Sequence, residues 1–244
     1  MLGASLTVQA QCLKTISWDN DSLQQANSTD ELQISRDLKL LLKALAKLDC
    51  QVNFVEMPWA RSIVELENGR VDILSDAYKT AKRQRYAWYS DFTSDSYTVL
   101  FMRKEDTGKY PLSSLQDITK HQLRIGTQIG AIYSDEFNQL LADKNFASLL
   151  HPNSSRKALW NMLKRDRIDG LISELTRGRN ELKNLDLTAK IGPSDFVVST
   201  SPTHFIFSKK SVSVDFVKAV DRELLKLTKV GPIEAIEPIE QIRE

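Results

Sequence analysis

The chain has 244 residues, 41% of them hydrophobic and 27% charged, a composition that suits a globular protein with one sizeable core or two smaller ones. Thirty-three Lys and Arg against 32 Asp and Glu leave a formal charge of +1, which excludes a global field able to hold a polyanion such as nucleic acid. No stretch approaches the roughly 20 apolar residues that a bilayer-crossing helix needs.

Residues 1–8 are apolar or small, and Val8, Gln9 and Ala10 present the small-residue pattern that signal peptidase prefers. Residues 1–10 therefore read as the remnant of an export signal, with the folded chain starting near Gln11; a frayed tail is the alternative. Gln11 stands where a lipidated cysteine would have a small residue before it, so Cys12 does not support a lipoprotein. Cys12 and Cys50 each precede an apolar stretch, 13–16 and 52–55, that reads as a strand. Neighbouring parallel strands would put both cysteines at one sheet edge within bridging reach, as an oxidising compartment allows. Two unrelated buried thiols are the other reading.

Ile34, Leu38, Leu41, Leu42, Leu45 and Leu48 fall on one helical face, behind capping candidates at 28–30. After the second strand Pro58 opens a helix whose inner stripe is Trp59, Ile63 and Leu66, and Gly69 ends it. Strands and helices then keep alternating, the pattern of a mostly parallel sheet flanked by helices. Arg70-Val71-Asp72-Ile73-Leu74-Ser75 recurs as Arg167-Ile168-Asp169-Gly170-Leu171-Ile172, each copy after a helix-like segment and before an acid, Asp76 or Glu174. The recurrence predicts two lobes of similar build. Two β-rich runs, 97–102 and 204–207, serve as two crossings of a hinge. They predict one lobe from 11–102 plus 203–244 and another from 103–202. Ligands of such sheets bind in the crevice beyond the C-terminal ends of the strands, here between the lobes.

Asp76, Tyr78, Thr80 and Arg83 follow a strand end directly, and Arg83 can offer its planar fork to a carboxylate. A solvated basic loop of Lys79, Lys82, Arg83 and Arg85 is the competing reading. Glu174 ends the second copy's strand and would meet an ammonium from the opposite wall, so that the two groups complement a zwitterion; helix capping is its competing role. Trp18 and Trp59 follow strands of the first lobe and either sandwich a ligand or pack in the core. His121, His151 and His204 are scattered, and no phosphate loop or nucleophile elbow is present. No catalytic residue, metal or cofactor is expected.

Phe54-Val55-Glu56-Met57-Pro58-Trp59, Leu66-Glu67-Asn68-Gly69-Arg70-Val71-Asp72, Thr80-Ala81-Lys82-Arg83 and Tyr89-Ser90-Asp91-Phe92 together form a distinctive set, to which 123–137 adds Gly126 and Gly130. From about Cys12 to about Leu227 the chain resembles the bacterial extracellular solute-binding proteins of family 3, periplasmic components of polar amino-acid import systems. The resemblance implies a type II periplasmic-binding-protein-like α/β fold, with each lobe a mostly parallel sheet and a two-strand hinge between them. It also implies a monomer without enzymatic activity, which delivers an amino acid or related carboxylate to the permease of an ABC transporter. By position, Arg83 would grip the ligand's α-carboxylate, Glu174 its α-amino group, Trp59 would wall the side-chain pocket, and Asp19 or Asn20 would read the side chain.

Asp76 and Tyr78 depart from the small or hydroxyl residues of the family, as do Ala131 and Ile132 after Gly130 and Ala81 in place of a proline. Asp76 beside an α-carboxylate repels it unless Arg83 or a lysine neutralises it. Two other outputs fit the same fold: a sensing module for a membrane receptor, and a dehydratase-like enzyme using Asp76 and Glu174.

Overall fold

The computed structural model describes residues 12–18 and 35–229; Asp19, Asn20, Ile34, the capping candidates at 28–30 and the expected signal remnant lie outside them. The first part of the chain forms β1 (Cys12–Trp18), α1 (Arg36–Lys47), β2 (Cys50–Glu56), α2 (Trp59–Asn68), β3 (Ile73–Tyr78), α3 (Ala81–Gln84) and β4 (Ala87–Ser94). The middle forms β5 (Thr98–Arg103), α4 (Gln116–Lys120), β6 (Ile125–Gln128), α5 (Asp135–Leu140), α6 (Lys144–Ser148), β7 (Leu150–Asn153), α7 (Arg156–Lys164), β8 (Gly170–Glu174), α8 (Leu175–Asn184) and β9 (Ile191–Ser199). The chain then returns through β10 (Thr203–Ser208) to α9 (Val214–Lys229).

Two five-stranded sheets result, in the orders β2-β1-β3-β10-β4 and β7-β6-β8-β5-β9. They share one plan. β1 lies parallel between β2 and β3, as β6 does between β7 and β8. β10 and β5 then each add antiparallel, carrying β4 and β9 at the edge. The sheets are therefore mixed rather than mostly parallel, because the strand that crosses from the other sheet runs back against its neighbours. β5 pairs with β8 and β9, so the run 97–102 belongs to the second sheet rather than to the first lobe. The lobe boundary that we propose falls between β4 and β5, before Thr98 instead of after 102.

Four buried clusters line the faces of the sheets, and none spans both among the described residues. Side-chain alternation along the strands sorts them. Phe205 and Phe207 face α1 and α9 while Ile206 faces the α2 side; Val99 and Phe101 face away from Leu100 and Met102. Ser35 caps α1 by accepting from the Leu38 N–H at 3.2 Å, and Leu38, Leu41, Ala44 and Leu45 form its buried stripe. Pro58 precedes the first turn of α2 and Gly69 closes it at φ 79°. Leu66 is buried there, whereas Trp59 and Ile63 are half-buried at the α2 end of the core.

The recurring motif has one job in both lobes. Asp72 accepts from the Thr15 N–H at 2.7 Å and gives its own N–H to the Thr15 carbonyl at 2.9 Å, clamping β1 to the entry of β3. Asp169 does the same at β6, accepting from the Arg124 N–H at 2.8 Å and donating to the Arg124 carbonyl at 2.7 Å. Cys12 and Cys50 are direct partners in the parallel register of β1 and β2, with Cα atoms 4.5 Å apart, and form a disulfide.

Candidate functional site

Thr80 caps the short helix α3, accepting from the Arg83 N–H at 3.2 Å, and this turn swings the Arg83 side chain inward. Arg83 is only 4% exposed, while Lys79, Lys82 and Arg85 around it are exposed. Its guanidinium donates to the Tyr78 carbonyl at 3.0 Å and to the Gly130 carbonyl at 3.2 Å, and lies 5.7 Å from the Trp59 ring centre. Among the described residues no carboxylate pairs with it. Burial pulls the guanidinium below its ordinary range, against the opposing influence of the Tyr86 and Tyr89 phenols.

Gly130 belongs to the loop after β6, so the Arg83 contact joins the two sheets. Trp59, at the start of α2, donates its indole N–H to the same carbonyl at 3.1 Å. Gly130 has φ 82°, and a Cβ there would stand 3.1 Å from the Ala60 Cα, so a glycine is required both by the turn and by the close approach of α2. Ile132 is half-buried two residues further along this loop.

Glu174 ends β8 and caps α8, the competing role that its place in the sequence allowed. Its carboxylate accepts from the Thr176 N–H at 2.8 Å and the Arg177 N–H at 2.6 Å. Burial pushes its pKa up and Asp76 adds to the push, while the two N–H groups and the Arg177 charge oppose it. Asp76 lies at the facing end of β3, where the pairing with β10 shifts register, and has φ 56°. Its neutralising partner is neither Arg83 nor a lysine: Arg177 of α8 reaches across the sheets and donates to Asp76 Oδ2 at 3.1 Å.

Tyr78 is half-buried, and its hydroxyl meets Ser201 Oγ at 3.4 Å near the second crossing. Trp18 ends β1 and stacks on Phe54 at 5.2 Å, a packing contact within the first lobe. A hollow lined by Asp37, Asp76, Ser94, Thr203 and His204 lies beside Asp76 rather than at Arg83. Asp37 accepts there from the Ser94 hydroxyl, and burial pushes its pKa up. Among the described residues no group of three or more His, Cys, Asp or Glu is placed to hold a metal, and no helix is long and apolar enough to cross a membrane.

Behind the second-lobe wall stands a buried ion pair. Arg156, at the start of α7, donates to Glu181 of α8 at 2.6 and 2.8 Å and to Ser173 Oγ at 2.6 Å, and Trp160 donates to the same carboxylate at 2.6 Å. Ser173 passes its own hydroxyl hydrogen to the Glu174 carbonyl at 3.0 Å. The β8 end that carries Glu174 is thereby tied to the helices behind it.

Two sheets of like topology, with Arg83, Trp59 and Asp76 of the first facing Gly130, Glu174 and Arg177 of the second, define a periplasmic-binding-protein-like fold. The chain belongs to the bacterial extracellular solute-binding proteins, family 3, whose family model matches residues 36–238. No curated protein matches the chain in sequence. Among solved structures, arginine-bound ArgBP from T. maritima aligns over 88% of this chain and 96% of its own, with 16% identity and a TM-score of 0.72. AbpA from Streptococcus pneumoniae, an amino acid ABC transporter substrate-binding protein bound to L-arginine, covers 89% of both chains at 19% identity and a TM-score of 0.71. A histidine kinase sensor domain with similarity to periplasmic binding proteins covers 96% of both at 14% identity and a TM-score of 0.72.

Proposed function

We propose that this protein captures a small carboxylate-bearing solute, an amino acid or a related acid, between its two lobes and delivers it to the permease of an ABC-type importer. The observation that carries this reading is Arg83: a buried guanidinium held by one neutral carbonyl oxygen from each lobe, those of Tyr78 and Gly130. Removing a cation from water without an anion beside it is costly, and a ligand carboxylate relieves that cost with a bidentate pair. Closure supplies affinity because the two walls meet the ligand together only when the lobes approach, so ligand shifts the open and closed populations by its differential affinity. Family membership and the Cys12–Cys50 disulfide support a periplasmic location. The protein acts as a monomer and performs no covalent chemistry on its solute. The contacts of Asp76 and Glu174, the acids that a dehydratase would use, are an inter-lobe ion pair and a helix cap, which supports binding over chemistry.

Arg83→Ala should weaken carboxylate binding by about 2–5 kcal/mol, because it truncates one partner of a desolvated charge pair. Calorimetry finding unchanged affinity for the co-purified solute would remove Arg83 from the site. The sensor-domain likeness favours one second reading, a module whose closed form docks on a receptor. Recovery of a receptor in place of a permease by cross-linking in membranes would select it.

A further inference from the structure

We infer that Arg177 sets the selectivity of the cleft: anchored on the second lobe and paired with Asp76 of the first, it holds the place of a ligand cation and turns the site toward carboxylates without an α-ammonium group. This rests on the reading of Arg83 as the carboxylate anchor and narrows it.

The charges of the cleft are matched unevenly. Asp76 has a cation, with Arg177 Nη2 at 3.1 Å. Glu174 has the start of α8, whose Thr176 and Arg177 N–H groups approach to 2.8 and 2.6 Å. A carboxylate at a helix N-terminus is already stabilised by the partial positive charge there. Burial raises the Glu174 pKa and the Arg177 charge opposes that rise, so a ligand ammonium approaching Glu174 would meet a guanidinium already acting on the same carboxylate. Asp37, the third acid near Asp76, is pushed up by burial and takes the Ser94 hydroxyl. Arg83 is the buried cation of the cleft, and it donates to neutral acceptors, the Tyr78 and Gly130 carbonyls.

A zwitterion entering this cleft gains Arg83 through its carboxylate, but its ammonium meets acids that are already partnered. To reach Asp76 it must displace a guanidinium fixed to the same wall by α8, and a tethered competitor acts at high effective concentration. A 2-hydroxy acid or a des-amino acid gains the same carboxylate contact and leaves the Asp76–Arg177 pair intact. That pair joins the two lobes, so a ligand that spares it also keeps a closing contact.

The test is calorimetric titration of the intact protein with sets that share one side chain: the L-amino acid, its 2-hydroxy acid and the des-amino acid. Wild type is expected to bind the two ammonium-free members at least tenfold more tightly than the amino acid. Arg177→Met should shrink that ratio tenfold or more by strengthening the amino acid. Asp76→Asn frees Arg177 to meet the ligand carboxylate and should enlarge the ratio. General loosening of the cleft would move both variants the same way, and Asp76→Asn carries the test if Arg177→Met does not fold. A wild-type preference for the amino acid, or one ratio in all three proteins, overturns the role of Arg177 while leaving Arg83 in place. If Arg83→Met binds the 2-hydroxy acids as tightly as wild type, or if no member of any set binds, the carboxylate reading itself falls.

Discussion

Replacing Arg156 and Glu181, singly and then together, tests whether a buried ion pair holds the second-lobe wall. Arg156 is 3% exposed and Glu181 4%, and their two hydrogen bonds of 2.6 and 2.8 Å form a bidentate pair. Arg156→Met leaves the Glu181 carboxylate buried with the Trp160 N–H as a neutral donor, and a buried charge stripped of its partner costs about 3–5 kcal/mol. Glu181→Leu removes the carboxylate that Arg156 binds with two hydrogen bonds, and should cost a comparable amount. The double substitution removes both charges; its main residual cost is the Trp160 N–H without an acceptor, about 1–3 kcal/mol. The double variant is therefore expected to be less destabilised than either single one. Urea denaturation followed by tryptophan fluorescence, compared at equal slope, measures all four proteins. A double variant whose cost equals the sum of the singles, about 6–10 kcal/mol, would show that the two side chains act independently and refute the reasoning. The pH dependence has a definite sign. Burial pushes Glu181 up, but the charge and hydrogen bonds of Arg156 outweigh it and hold the carboxyl below its ordinary 4.5. Its stabilisation is thus fully present above that value and is lost as pH falls through the lower folded pKa, so the gap between wild type and Arg156→Met should narrow in acid.

Reducing the Cys12–Cys50 bridge, which closes a sequence separation of 38 residues, should cost about 3–4 kcal/mol in equilibrium denaturation; an unchanged midpoint in reductant would contradict this. Gly130→Ala places a Cβ 3.1 Å from Ala60 Cα at φ 82°, so ligand affinity should fall roughly tenfold or more, and X-ray scattering should show a larger radius with ligand present. Unchanged affinity would remove the Gly130–Ala60 approach from the closed state. Asp117 accepts from both N–H and both hydroxyl groups of Ser113 and Ser114, which lower its pKa from 3.8 to about 2. Its contribution is present above the ordinary value and lost as pH falls toward 2, and an NMR titration midpoint near the ordinary value would count against it.

How far the sequence led depended on whether a feature was local. Pro58 and Gly69 delimit α2 because each acts on its own backbone, and Thr80 three residues before Arg83 marks the turn that buries Arg83 and leaves Arg85 outside. The motif around Asp72 and Asp169 was legible as a recurrence, although its purpose, clamping two strand starts, appears only in the pairing. Two possibilities for the cysteines became one through the register of β1 and β2. Long-range partners left no such trace. Arg177 sits on the first turn of α8 with Glu174, a spacing that flags it as facing the same side, but nothing local points to Asp76, 101 positions away. The Gly130 carbonyl, which receives both Arg83 and Trp59, is a backbone atom and has no signature in residue type. The strand β5 was misplaced for a related reason: its apolar run is compatible with either sheet, and only its antiparallel pairing with β8 and β9 decides.

Native mass spectrometry of freshly purified wild type and Arg83→Met, run side by side, addresses the capture of an acid by a buried guanidinium most directly. Wild type is predicted to carry a single small molecule bearing a carboxyl group, shed on collisional activation, while the variant emerges bare. A variant that retains the same molecule in full, or a wild-type adduct with no acidic group, would contradict the account.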